Sequence, residues 1–200
     1  QTCALPIFYG IGELPEIISE PNGRPVFRDP HLPRFSISYA GNIVGVALTT
    51  EGDCGLDMEL QHASRGVHPL HAAERYVFNS NENLWINIQH DPDEARAQLV
   101  ALRRSVLKLT GEAPVRVQLL PGSGRLRTAG TQSIEAICDA ETLLVWSIAV
   151  TPNIGPLKVW EFDSKEGWRC LPDAQTRAKE TDARLMRFTS LPVEKVFSLN

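Results

Sequence analysis

The spacing of apolar residues changes once along the first half of this chain, and the change limits the folds open to it. Up to residue 60 the signals are those of strands. "RFSISYAG" (34–41) alternates and stops at Gly41, and "NIVGVALTT" (42–50) is apolar enough for a strand buried on both faces. "EGDC" (51–54) makes a turn and "GLDMEL" follows it, so residues 34–60 predict a meander of three short antiparallel strands. From residue 68 the spacing becomes helical. "HPLHAAERYVF" (68–78) and "NSNENLWINIQH" (79–90), the latter behind an Asn or Ser cap, are predicted helices. The strongest helix is "DPDEARAQLVALRRSVLKLTG" (91–111). Asp91 is its cap, Pro92 stands at its first position, acids fill its first turn and Gly111 lies past its end. Leu99, Leu102, Val106 and Leu109 form its apolar stripe.

Strand signals then return. "VRVQLLPGSGRLRTAG" (115–130) predicts a strand and a Gly-rich turn, and "SIEAICDAETLLVWSIAV" (133–150) a β-hairpin turning at "DAET". "LKVWEF" is a further strand, and "AQTRAKETDARLMRF" (174–188) is an amphipathic stretch. Meander, helices and hairpin in this order define the α+β class.

Within the third predicted strand, "CGLDMELQ" (54–61), two acids stand one residue apart among apolar and small neighbours. Side chains at i and i+2 of a strand point the same way, so Asp57 and Glu59 share a face and repel each other unless a positive group lies between them. Taken alone, the pair could equally be two solvated acids on an edge strand.

The net charge of -4 argues against bulk electrostatic binding to nucleic acid or an anionic membrane. No run of eighteen apolar residues occurs. The cysteines (Cys3, Cys54, Cys138, Cys170) form no CxxC pair, which predicts reduced thiols and a cytoplasmic setting. His62, His68 and His71 lack a fourth ligand and read as structural or solvated histidines. "PGSGRL" (121–126) lacks the Lys-Ser/Thr of a phosphate loop and reads as a turn, and "WEFDSKEGW" (160–168) reads as strand and turn.

Five segments together resemble the 4′-phosphopantetheinyl transferases, in particular the larger type built as a pseudo-dimer of two half-domains. That family shows G-K-P, F-N-I-S-H-S-G, G-V-D-I-E, F-S-x-x-E and W-x-x-K-E-A-x-x-K-x-x-G in sequence. The matching stretches here are Gly23-Arg24-Pro25, "FSISYAG" (35–41), "GLDME" (55–59), "FNSNE" (78–82) and "VALRRSVLKLTG" (100–111). Order and spacing agree over roughly residues 12–150.

The resemblance implies transfer of the phosphopantetheine arm from coenzyme A to a serine of an apo acyl or peptidyl carrier protein, assisted by Mg²⁺. It implies Asp57 and Glu59 as metal ligands and Arg24, Ser38, Tyr39, Arg103 and Lys108 as coenzyme A contacts. Lys108 and Arg104 fall at the catalytic positions. A monomer that engages neither nucleic acid nor membrane is expected. An alternative is a degraded homologue that binds carrier protein or coenzyme A without transfer.

The motif departs from the family at several points. Tyr39 replaces the histidine of S-H-S and Ala40 the serine after it; Arg103, Arg104 and Ser105 replace K-E-A. Arg104 thereby reverses the charge of the family glutamate. Four residues before Lys108 on one helical face, it is expected either to pair with Asp57 and Glu59 and displace Mg²⁺, or to bind pyrophosphate as a substitute cation. The plainer alternative for Arg103, Arg104 and Lys108 is a basic late turn complementing the helix dipole. Tyr39 could equally be a packed aromatic.

The expected division is a non-native leader at 1–11, the remainder of a first half-domain at 12–65, a second half-domain at 66–151 and a C-terminal extension at 152–200. "QTCALPIF" opens with Gln1, and one of its reverse translations matches a sequencing-adapter oligonucleotide. The first half is accordingly expected to be incomplete.

Overall fold

A computed structural model describes residues 10–61, 77–112, 116–177, 179 and 184–190. Most of the expected leader, the three histidines and all but Val77 and Phe78 of the predicted helix over 68–78 lie outside the described residues, and those two are not helical.

The chain is α+β. Its strands are β1 (Ile17–Ser19), β2 (Pro25–Phe27), β3 (Arg34–Ala40), β4 (Ile43–Thr49) and β5 (Asp53–Leu60) before the helices. Helices α1 (Ser80–Asn87) and α2 (Pro92–Thr110) follow. Then come β6 (Gln118–Leu120), β7 (Arg125–Arg127), β8 (Glu135–Ala140), β9 (Leu144–Thr151), β10 (Trp160–Asp163), β11 (Gly167–Cys170), the one-turn α3 (Ala174–Arg177) and β12 (Met186–Ser190). The central sheet has six strands in the order β5-β9-β8-β12-β7-β6, antiparallel except for the β12–β7 pair. Strands from residues 12–65, 66–151 and 152–200 all enter it.

The helices predicted over 79–90 and 91–111 form as α1 and α2. Asp91 Oδ1 accepts from the backbone N–H of Asp93 and Glu94, and Gly111 ends α2 at φ 67°. At α1, Asn79 and Glu82 cap each other reciprocally, each side chain accepting from the other's backbone N–H at 2.9 Å. The "DAET" hairpin forms as β8 and β9. "PGSGRL" is a turn between β6 and β7, and 160–168 is a strand and turn, as expected.

Two expectations are corrected. The meander over 34–60 does not form as one sheet: β3 and β4 pair with each other, and β5 pairs instead with β9. Among its described residues, the stretch 174–188 is helical over Ala174–Arg177 and ends as strand β12, which inserts between β8 and β7. Arg187 alternates there with the buried Phe188, a period-two pattern hidden inside an amphipathic-looking run.

Strand alternation divides the core between the two faces of the sheet. On one face α2 lays Leu99, Leu102, Val106 and Leu109 against Leu119, Leu126, Val145, Ala149 and Phe188, with Ile86 of α1 joining them. On the other, the β3–β4 hairpin brings Ala40 and Ala47 onto Cys54, Leu56, Met58, Ile148 and Val150. Cys54, Leu56 and Met58 thus face the hairpin, while Gly55, Asp57 and Glu59 lie under α2.

Candidate functional site

The site sits where α2 crosses β5. Helix and strand approach so closely at Gly55 that a β-carbon there would lie 2.1 Å from the carbonyl oxygen of Ser105. Two residues along the strand, on the same face, Asp57 lies beneath Arg104 and Lys108 of the helix. Asp57 is fully buried. Its Oδ1 lies 2.8 Å from Lys108 Nζ and its Oδ2 lies 3.4 Å from Arg104 Nε. Both are ion-pair contacts. Arg104 Nη1 donates to Glu59 Oε1. The acids therefore do share a face, and positive side chains do lie between them. Arg104 and Lys108 share one helical face as expected, and of the two expected outcomes for Arg104 the described geometry is the pairing with Asp57 and Glu59.

Beside Asp57 across the ladder stands Ser147, whose hydroxyl is 3.0 Å from that of Ser105. Ser105 also donates to the Leu102 carbonyl. These hydroxyls satisfy each other and leave the acids to the cations.

The remaining motif residues close the outer edge of β5. That strand has β9 on one side only, so the N–H and C=O groups of alternate residues point outward without a ladder partner. Ser36 Oγ accepts from Leu56 N at 2.9 Å and Ser38 Oγ from Met58 N at 3.1 Å. Lys108 Nζ donates to Leu56 O at 2.8 Å, and Arg24 Nη2 to Cys54 O at 3.0 Å. Two serines spaced i, i+2 thus meet two N–H groups spaced i, i+2. Arg24 also pairs with Asp53 at 3.0 Å and reaches the Leu109 carbonyl at the end of α2. Arg34 bridges Asp53 to Glu20.

The residues expected to contact coenzyme A have the following partners in the fold. The Arg24 guanidinium is largely buried and engaged with Asp53 and two backbone carbonyls, so it ties the 20–27 loop to β5 and α2. Tyr39 follows Ser38 on β3, so it faces the opposite way and is 69% exposed, away from the acids. Arg103 points off the site and forms a buried ion pair with Glu82. Lys108 and Ser38 do reach it: Lys108 Nζ lies 3.3 Å from Ser38 Oγ.

Sequence reasoning did not single out Ser36, Ser147, Asp53 or Glu82's buried partnership. Ser36 and Glu82 carried a signal, as members of "FSISYAG" and "FNSNE".

Mg²⁺ does not fit this donor set. It favours octahedral oxygen coordination with several retained waters, whereas Asp57 is fully buried and both its oxygens already face cations. Two carboxylates facing two cations are neutral as they stand, and a dication would lie within a few ångströms of both Arg104 and Lys108. Among the described residues no cluster of three or more His, Cys, Asp or Glu side chains could hold a metal.

Burial raises the Asp57 pKa, against the pull of Lys108 and Arg104. A carboxyl with a higher pKa folded than unfolded favours folding at low pH. That contribution is complete below the unfolded value of about 3.9 and is lost as pH rises through the folded value. Asp57→Asn, neutral throughout, should therefore gain stability relative to the parent as pH is raised from about 4 to about 8. Paired urea titrations across that range check this, and a difference that stays flat or falls with pH refutes it.

The fold and the site define an α+β protein in which a helix sets its own cations against a buried aspartate and a half-buried glutamate. The chain is 61% identical over 198 residues to the "Uncharacterized protein YieE" of Escherichia coli strain K12, covering 97% of this chain and 80% of that protein. It matches the protein of the same name from E. coli O6:H1 strain CFT073 with the same identity and coverage. The chain belongs to this YieE family. No family model matches it. No helix among the described residues is long and apolar enough to cross a membrane.

Proposed function

We propose that the protein is a 4′-phosphopantetheinyl transferase-type protein that takes coenzyme A and an apo carrier protein as its partners, in a cytoplasmic setting. One observation carries this reading. Three segments that resemble the family's motifs, 100 residues or less apart in the chain, converge on a fourth, which is part of β5: Arg24, Ser38, and Lys108 with Arg104 all contact β5 within residues 54–59. Chance resemblance in scattered segments has no reason to assemble around one acid pair. The fifth, "FNSNE", joins through Glu82 and Arg103. A pseudo-dimer of two half-domains, the first incomplete, is the finer architecture that goes with this reading.

In the proposed reaction a carrier-protein serine oxygen attacks the β-phosphorus of coenzyme A. The new P–O bond carries the phosphopantetheine arm, the bond to the α-phosphate oxygen breaks, and adenosine 3′,5′-bisphosphate leaves. The serine proton passes to solvent or to a basic group on the carrier. Lys108, half-exposed and anchored to the edge of β5, and Arg104 are the cations beside the acids.

The pairing of Arg104 with both acids favours a second reading, in which carrier protein or coenzyme A is bound and no arm is transferred. A mass-spectrometric assay with coenzyme A and apo carrier proteins of fatty-acid, polyketide and non-ribosomal peptide type tests both. A carrier mass increased by one phosphopantetheine establishes transfer. Coenzyme A or carrier binding without a mass change selects the second reading, and neither binding nor transfer overturns both.

A further inference from the structure

We infer that the protein takes a pyrophosphate-bearing ligand without a divalent metal, with Arg104 standing in the position such an ion would need. The inference rests on the reading of the site as a coenzyme A site and concerns how its phosphates are held. Three observations carry it. The acids already have cations: Lys108 Nζ at 2.8 Å from Asp57, and Arg104 against both Asp57 and Glu59. Asp57 is sealed from solvent, leaving no room for the water ligands that complete magnesium coordination.

The third observation is the inequality of the two cations. Lys108 and Arg104 are equally exposed, at 35% and 36%, but the Lys108 ammonium is close to Leu56 O, Ser38 Oγ and Ile37 O as well as Asp57. Arg104 directs Nε and Nη1 at the acids. A guanidinium carries five N–H donors in a rigid fork that suits phosphate oxygens. Asp57 and Glu59 then act as the support that orients this fork, and the phosphate oxygens meet it directly.

The test is calorimetric titration of the full chain with inorganic pyrophosphate and with coenzyme A, each in excess EDTA and in Mg²⁺. The expected result is binding of both in EDTA, unchanged within about threefold by Mg²⁺, and weakened about tenfold or more by Arg104→Ala. Arg104→Lys, which keeps the charge and loses the fork, should fall between. Circular dichroism establishes that the variants are folded, and the EDTA comparison on the parent chain needs no variant.

Binding of either ligand only in Mg²⁺ overturns the inference and leaves the functional reading standing. Pyrophosphate binding in EDTA that depends on Arg104, without coenzyme A binding, supports the inference and removes the functional reading. Arg104→Ala binding both ligands as the parent does in EDTA overturns the inference, and absence of binding under every condition overturns both.

Discussion

Gly55→Ala is expected to destabilise the protein by about 3 kcal/mol or more, at the upper end of what overpacking costs. The added methyl would stand 2.1 Å from Ser105 O and 2.7 Å from Leu109 N, both backbone atoms of α2. A flexible side chain could rotate away from such a contact, but a helix backbone has to translate. Moving α2 off β5 carries Arg104 and Lys108 away from the acids together, because both sit on the same helical face. It also loosens Leu102, Val106 and Leu109 from the sheet. The substitution should therefore lower stability and ligand affinity in one step. Urea denaturation checks the first part, and a variant within about 1 kcal/mol of the parent shows that the helix approach is softer than described.

Glu82→Ala should cost about 3–5 kcal/mol, since it removes a fully buried ion-pair partner of the Arg103 guanidinium. Glu82 is fully buried and Arg103 nearly so. The same carboxylate receives the Asn79 backbone N–H, so the substitution also opens the capping box at the start of α1. Two helices lose their junction with one side chain. Removing both charges tests whether the lost ion pair is the cause. Glu82→Leu combined with Arg103→Met should recover most of the loss, because an apolar pair of similar volume carries no desolvation cost. If the double variant is as unstable as Glu82→Ala, the loss comes from the capping contacts or packing, and the ion-pair argument fails.

The two predictions fall on residues of unequal legibility. Gly55 and Glu82 lie in segments that resemble family motifs, yet nothing in either segment names its partner. Ser105 is 50 residues from Gly55 in the chain and Arg103 is 21 residues from Glu82. Arg24 shows the same gap from the other side. It was expected at a nucleotide and is engaged with Asp53, Cys54 O and Leu109 O, because the outer edge of β5 requires donors and Arg24 is within reach. Tyr39 faces away from Asp57 and Glu59 for a local reason: in a strand the neighbour of an inward-facing residue points to the other side.

The sequence by itself determined α1, α2 and the β8–β9 hairpin, because caps, turn residues and apolar periodicity act within a few residues of one another. It also determined that Asp57 and Glu59 share a face, since that follows from the pleat alone. Only the tertiary structure decided that β5 leaves β4 for β9, that β12 enters the sheet between β8 and β7, and that Arg104 reaches the acids while Arg103 does not. Strand pairing is made by backbone groups common to nearly every residue, so a strand's sequence states which face is buried and not which strand lies beside it. Adjacent helix residues project about 100° apart, so the direction each arginine takes was settled only when α2 docked on Gly55.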